Sequence, residues 1–349
     1  MLEKFKGKKV LITGNTGFKG SWLSLILHMA GAEVIGYGLT PPTNPALYDI
    51  LHLEKLVEQI YGDIRDRDKL QQAVKEKQPE IIFHLAAQPI VQYGYEEPAY
   101  TYETNVMGTV NLMESVRRTP CVHSVLNVTT DKVYRNREWE WGYRETEELD
   151  GFDPYSNSKS CSELVTHCYK ASYFDASKVR VSTARAGNVI GGGDFAKDRI
   201  IPDCFRSADK GETIILRNPH SIRPYQHVLE ALSAYLQIIL AQMENQGKQD
   251  YYNVGPDDAN CVTTGKIAEL FCQYWGSNLH WTTKSDDRMP EANFLKLDCS
   301  KIKSRLGWKP GWGIEESVGK TVEWYQCYVK DGDILKFTMR QIADFFEKI

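Results

Sequence analysis

Lys8-Lys9-Val10-Leu11-Ile12-Thr13-Gly14-Asn15-Thr16-Gly17-Phe18-Lys19-Gly20 passes from a charged lead-in through an apolar run into a loop with three glycines. Residues 8–13 carry a strand signal, and an amphipathic pattern from Ser21 to Ala30 predicts a helix that stops at Gly31. Strand, glycine loop and helix in that order give the glycines separate jobs. Gly14 permits a tight turn, Gly17 lets backbone approach a pyrophosphate, and Gly20 allows the helix to pack closely on the sheet. The unpaired N–H groups of the helix start would face that anion. An ordinary turn is the plainer alternative, but it does not require both flanks to match.

Working outward, residues 33–39 predict a second strand, broken by Thr40-Pro41-Pro42-Thr43-Asn44-Pro45. Many such sheets place an acidic residue at the end of this strand to hold a ribose diol. Here Gly36-Tyr37-Gly38-Leu39 stands instead, and no Arg stands there to hold a 2′-phosphate, so NAD and NADP are not separated at this point. Residues 56–61 predict strand three. Asp63 then reads either as an acceptor for an adenine amino group or as the N-cap of a helix over 67–77. Residues 79–85 predict strand four, leading into Leu85-Ala86-Ala87-Gln88, small enough to let a flat ring lie against backbone. A helix over 99–118 follows, with Asn105 in its middle. Asparagine there is locally unfavourable and predicts a polar task, the simplest being to bridge backbone groups.

The second decisive stretch is Thr129-Thr130-Asp131-Lys132-Val133-Tyr134, which follows the apolar run 122–128. That run predicts a buried strand, so Thr129 to Lys132 fall at its C-terminal end, where open α/β sheets bind ligands. Residues 135–151 are charged and rich in Trp and Glu, and predict a surface flap. Tyr155-Ser156-Asn157-Ser158-Lys159 then opens a helix expected to reach Phe174. A Tyr and a Lys four apart share one helix face, so the ammonium is expected to lower the phenol from its free value of about 10 and make Tyr155 a base. Alone, the pair reads as a core aromatic and a surface lysine; its weight comes from Thr129 to Lys132 upstream. Residues 179–184 predict strand six. Strand and helix alternate to this point, which predicts a doubly wound, Rossmann-type parallel sheet.

From Arg185 the texture changes. Residues 187–194 look too loose for regular structure, a short helix follows residues 199–203, a long one spans 229–246, and residues 251–254 form a strand. The remainder is mainly helical. The expected division is a sheet domain over 1–187 with returns near 224–254, and a smaller, discontinuous C-terminal substrate lobe over 188–349.

Composition sets limits. The chain has 349 residues, a formal net charge of −4 and no basic block, which argues against nucleic acid as a partner. Its start has no apolar leader and no stretch is long enough to span a bilayer, so a cytoplasmic protein without membrane attachment is expected. The eight cysteines are scattered without Cys-x-x-Cys pairs, so reduced thiols and no metal site are expected.

The glycine loop, Asp63-Ile64, Leu85-Ala86-Ala87 and Tyr155 with Lys159 occur in the order that resembles the extended short-chain dehydrogenase/reductase family. The resemblance covers essentially the whole chain. It implies NAD, held by Gly14, Asn15, Thr16, Gly17, Phe18, Lys19, Gly20, Asp63, Ile64, Leu85, Ala86, Ala87, Gln88, Thr104 and Thr129, together with Tyr155 and Lys159. Thr130-Asp131-Lys132 resembles the sugar-nucleotide 4,6-dehydratases, and the order Asp then Lys looks like the branch that acts on CDP-glucose. Two positions depart from that branch: Asn15 and Pro290 stand where it often has His. The resemblance implies Thr130, Asp131, Lys132, Tyr155 and Lys159 as catalytic residues. It implies Thr130, Asn188, Arg199, Arg223 and Arg288 as substrate contacts, Arg223 for its phosphate-matching fork. It also implies a homodimer or dimer of dimers through the long helices. Competing readings are a 4,6-dehydratase of another nucleotide sugar, a UDP-hexose 4-epimerase, which needs no Asp-Lys pair, and a non-catalytic NAD-binding scaffold.

Overall fold

The computed structural model describes residues 1–244, 248–276, 279–284 and 294–349; Arg288 and Pro290 lie outside the described residues. Six strands, β1 (Lys9–Thr13), β2 (Glu33–Gly38), β3 (Glu58–Tyr61), β4 (Ile81–His84), β5 (Ser124–Val128) and β6 (Arg180–Ala186), join the Tyr251–Val254 strand in one sheet. The spatial order is Tyr251–Val254, β6, β5, β4, β1, β2, β3, and every pairing in it is parallel. This is the doubly wound sheet that the alternation predicts.

Parallel sheets are covered on both faces, so their strands are apolar throughout. The side chains divide between the faces by the two-residue period. Val10, Ile12, Ile81, Phe83, Leu126 and Val128 enter one core with Trp22, Leu23 and Ile26 of α1 (Phe18–Met29) and Leu232 and Tyr235 of the Val228–Glu244 helix. Leu11, Ile82 and Val125 enter the other core, with Leu70 and Val74 of the Arg67–Lys77 helix and Leu112, Met113 and Val116 of the Gly108–Arg117 helix.

Several local expectations are corrected. Strand three begins at Glu58 and strand four at Ile81, each two residues later than expected. The N-cap of the Arg67–Lys77 helix is Asp66, whose carboxylate accepts from the Lys69 N–H, so Asp63 does not cap it. The helix expected over 99–118 is Pro98–Tyr102, a π-turn Glu103–Met107 and Gly108–Arg117, preceded by an unexpected Val91–Glu96 helix. Asn105 lies in the π-turn and does bridge backbone. Its Oδ1 accepts from the Gln88 N–H at 2.9 Å, and its Nδ2 donates to the Gln88 carbonyl at 3.1 Å. The helix opening at Pro154 runs to Tyr169 and ends in a second π-turn, Lys170–Phe174.

Beyond β6, the stretch expected to lack regular structure contains a short strand, Val189–Ile190, paired with Gln226–His227. Gly192 is where the C-terminal helices reach this loop. Its carbonyl accepts from the Trp22 indole at 3.1 Å, and a Cβ on it would stand 2.0 Å from the Trp324 ring. The Tyr325 hydroxyl donates to the Asp194 carbonyl at 2.5 Å, fixing the start of the segment that carries Arg199.

Gly20 holds α1 against β1 so tightly that a Cβ would lie 2.2 Å from the Gly14 carbonyl oxygen. Gly20→Ala must displace backbone on one side. Its expected cost is about 3 kcal/mol of stability, read as a lowered urea midpoint, with loss of dinucleotide binding in a titration of the folded fraction.

Candidate active site

The strand order turns back between β1 and β4, which leaves a crevice at their C-terminal ends, the usual ligand position in such sheets. Gly14 turns there with φ of 73°. A Cβ on Gly14 would meet the Ala86 nitrogen at 2.7 Å, so the glycine loop lies directly on Leu85 and Ala86. Gly17 is the N-cap of α1 and offers no side-chain cap, which leaves first-turn N–H groups facing the crevice. A cradle too tight for any side chain, ending in an uncapped helix start, fits a dinucleotide pyrophosphate.

The other residues expected around a cofactor divide into several groups. Thr16 donates to the Leu39 carbonyl at 2.9 Å and closes the loop onto β2. Asn15 is fully buried and turns the other way, donating to Gln59 Oε1 at 2.5 Å; a Cβ on Gly36 would stand 2.1 Å from its Nδ2. Gly36 is therefore required by Asn15, which explains a glycine in β2. Asp63 is engaged by Arg65, with 2.7 Å between Arg65 Nη2 and Asp63 Oδ2, and that contact holds its carboxyl below the usual range. Ile64 packs on Gly108, whose absent Cβ would come within 2.7 Å of it. Gln88 is anchored by Asn105 and by Thr101, to which its Nε2 donates at 2.8 Å. The buried hydroxyl of Thr104 has no partner among the described residues.

A cavity of about 600 Å³ opens beside this cradle, lined among others by Lys19, Thr130, Asp131, Lys132, Tyr155 and Arg199. β5 ends at Val128, and the backbone then turns through the Asp131–Val133 3₁₀ turn. The Thr130 hydroxyl donates to Asp131 Oδ1 at 3.0 Å and accepts from the Lys132 N–H at 3.4 Å. Lys132 Nζ stands 3.4 Å from both Asp131 Oδ1 and Asn188 Oδ1. Asp131 Oδ2 is buried without a partner. Asp131 and Lys132 thus meet as a loose ion pair at the cavity wall.

Tyr155 arrives from the opposite side on the Pro154–Tyr169 helix. Asp153 caps that helix by accepting from the Ser156 N–H at 3.0 Å, and Pro154 occupies its first turn. Burial pushes the Tyr155 phenol up to about 12, and the neighbouring Thr130 hydroxyl, which acts the other way, does not offset it. This reverses the expected direction. Lys159 does not offset that burial: its Nζ donates to the Val128 carbonyl at 3.2 Å, and burial, with the Lys19 ammonium second, pushes it down to about 7. Without ligand, the lysine does not hold the phenol ionised.

Lys19, named among the cofactor residues, stands close to Thr130 and Tyr155. Its side chain lines the catalytic cavity, where burial first and the Arg199 cation second push its ammonium down to about 8. Arg199 is held by Asp194, with 2.9 Å between Nη1 and Oδ2. Arg223 lies buried in the same wall and donates to the Ile222 carbonyl at 3.1 Å. Asn188, Arg199 and Arg223 therefore share one cavity with Thr130. Asp194, Arg217, Tyr225 and Thr264 also line it and were not singled out in the sequence. Asp194 closes a run of three glycines, which hides a site carboxylate among turn residues.

Parallel order, a glycine cradle at the switch point and a Thr-Tyr-Lys group facing it define a Rossmann-type α/β fold with an enzyme-like site. The model of the GDP-mannose 4,6 dehydratase family matches residues 11–321, and the chain belongs to that family. It is 47% identical to the CDP-glucose 4,6-dehydratase of Salmonella typhimurium, over 99% of this chain and 98% of that protein. Among solved structures, it is similar to the UDP-glucose 4-epimerase of Thermotoga maritima with UDP-glucose, with TM-score 0.81 and 23% identity over 92% of this chain and 99% of that one. It is also similar to the dTDP-glucose 4,6-dehydratase of Bacillus anthracis in complex with NAD, with TM-score 0.78 and 23% identity over 94% of this chain and 100% of that one.

The Lys159 environment has a measurable sign. Its folded value of about 7 lies below the ordinary lysine value of 10.5, so between those values the unfolded chain takes up more protons. Stability therefore rises with pH across that window, and the penalty of the buried ammonium is fully present below about 7. Lys159→Met is expected to raise the urea midpoint of the ligand-free protein at pH 6, by a margin that shrinks steadily as the pH is raised toward 10.

Proposed function

We propose that this chain converts CDP-D-glucose to CDP-4-dehydro-6-deoxy-D-glucose as an NAD-dependent 4,6-dehydratase. The carrying observation is the convergence of an acid and an amine, Asp131 and Lys132 at 3.4 Å, on the cavity that holds Thr130 and Tyr155. An epimerase needs only the second pair. The choice of CDP-glucose rests on the 47% identical relative of that name, and the choice of NAD on the glycine cradle together with the NAD complex of the similar Bacillus anthracis dTDP-glucose 4,6-dehydratase.

The Gly14 to Gly20 cradle would hold an oxidised nicotinamide dinucleotide, which would supply the hydride acceptor for C4 and the hydride donor for C6. Tyr155 removes the proton of the 4-hydroxyl, which Thr130 holds by a hydrogen bond. The 4-ketone so formed acidifies the C5 hydrogen. The Lys132 ammonium first passes a proton to the Asp131 carboxylate 3.4 Å away; as an amine Lys132 then takes the C5 proton, and Asp131, now the acid, protonates the departing C6 oxygen, so that water leaves across C5 and C6. Lys159 holds the ribose and contributes its field to Tyr155. Asn188 and Arg199 hold the hexose, and Arg223, with Arg288 outside the described residues, binds the diphosphate.

The same reading assigns residues 1–187, with returns near 224–254, to the dinucleotide and residues 188–349 to the sugar nucleotide. It makes the protein a cytoplasmic homodimer or dimer of dimers whose product feeds deoxysugar and cell-surface polysaccharide (O-antigen) synthesis. Half-exposed Met107 and Leu164 on the long helices support a helix-to-helix contact between copies.

Incubation with CDP-glucose deuterated at C4 is expected to release water and leave deuterium at C6, read by mass spectrometry and NMR. Inversion at C4 without water loss would make the protein an epimerase. Turnover of dTDP-, GDP- or UDP-glucose alone would move the base preference, and silence on all four would leave a scaffold. Lys132→Ala is expected to retain C4 oxidation and lose elimination by about a hundredfold or more; water release at the parental rate would remove Lys132 from the base role.

A further inference from the structure

The Thr130-Asp131-Lys132 turn is bracketed by two residues that reach one buried ion pair. On the N-terminal side, the Thr129 hydroxyl donates to Glu163 Oε1. On the C-terminal side, Tyr134 accepts from Arg185 Nη1 at 2.9 Å. Glu163 and Arg185 meet at 2.9 Å with side-chain exposures of 1% and 3%. Glu163 lies one helical turn beyond Lys159 and two beyond Tyr155. The pair thus joins both ends of the catalytic turn to the helix that carries the phenol and the lysine.

Its remaining bonds run outward. Glu163 Oε2 also accepts from Thr183 of β6 at 2.9 Å. Arg185 Nη1 donates to the Glu145 carbonyl at 3.1 Å, and Tyr134 donates to Asn253 Oδ1 at 2.6 Å. Asn253 in turn donates through Nδ2 to the Tyr143 carbonyl at 2.7 Å and through its N–H to Glu145 Oε1 at 2.9 Å. The segment 134–149 closes on itself through a Tyr134 to Leu149 bridge. The links from the pair to the 134–149 segment run from Arg185 directly and through Tyr134 and Asn253.

Buried pairs of this kind are weak evidence for stability, because neutral replacements of both partners often fold as well. A different reason is needed for one here, and its position supplies it. We propose that Glu163 and Arg185 are positioning residues that clamp the Thr130-Asp131-Lys132 turn and the 134–149 segment onto the Tyr155–Lys159 helix, so that the groups for elimination face the same hexose as the groups for oxidation. The proposal rests on the roles assigned above to Thr130, Asp131 and Lys132. A clamp acts on kcat, because a misplacement of about 1 Å costs on the order of a hundredfold in rate. It leaves KM little changed, because Arg223, assigned to the diphosphate, sits on the Ile222–Arg223 strand, outside the segments that the pair holds.

The test compares E163Q, R185M and the double variant E163Q/R185M by thermal midpoint, CDP-glucose kinetics and hydrogen exchange of residues 129–149. Each single variant is expected to lose stability, since it strands one buried group. The double variant is expected to regain most of the midpoint, to remain roughly tenfold or more down in kcat with KM within about twofold, and to exchange faster over 129–149. A double variant with parental kcat or parental exchange overturns the clamp and leaves the pair structural. If the parental protein does not turn over CDP-glucose, the function reading fails while the exchange comparison still decides the clamp. Should the double variant not fold, Tyr134→Phe removes the Arg185 and Asn253 links without touching a charge; faster exchange over 134–149 with lowered kcat supports the clamp, and parental values of either sink it.

Discussion

Every pairing in the main sheet is parallel, and that constraint decides where chemistry can happen. Parallel strands all end on one edge, and the chain must return by a helix before each new strand. The glycine loop after β1 and the Thr129 to Lys132 turn after β5 are far apart in sequence, yet both open on that edge. The price of this arrangement is a sheet buried on both faces, met here by two apolar cores drawn from alternate residues of the same strands.

On that edge the protein holds more charge than it neutralises. Lys159 bonds a carbonyl rather than a carboxylate, Asp131 keeps one oxygen unpartnered, and Lys19 stands near Arg199 and Lys132 in a closed environment. Each raises the free energy of the ligand-free protein. Bound ligands bring the complementary phosphates, hydroxyls and ring charge, so the mismatch becomes a difference in affinity rather than a defect. The high value of the Tyr155 phenol belongs to the same account: desolvation disfavours its anion until a cation is placed beside it.

The buried Glu163–Arg185 pair is the counterpart of that unbalanced edge. Both carboxylate oxygens and both Nη atoms of the pair are bonded, although Arg185 Nε has no partner among the described residues, and the pair ties β5, β6, the Pro154–Tyr169 helix and the 134–149 segment together behind the cavity. Rigidity behind the site permits strained electrostatics within it.

The strands, the glycine loop, the start of the Tyr155 helix and the family resemblance were legible because they depend on local periods and on short motifs with fixed spacing. Asn105 was legible as a misfit with a polar task, although not as part of a π-turn, since the extra residue in that turn answers to packing against Ser158 and Gln88. Asp63 could be read as a cap or a contact, and its capture by Arg65 was invisible because it depends on two side chains choosing each other over solvent. Lys19 and Asn15 sit in one seven-residue loop and point into different regions, one to the catalytic cavity and one under Gly36. Sequence alone determined that this chain builds a parallel sheet with a dinucleotide-type loop and a Thr-Asp-Lys turn opposite a Tyr-Lys helix. Only the tertiary structure decided which way those side chains face and which charges they meet, because direction and desolvation are set by elements that are neighbours in space and strangers in sequence.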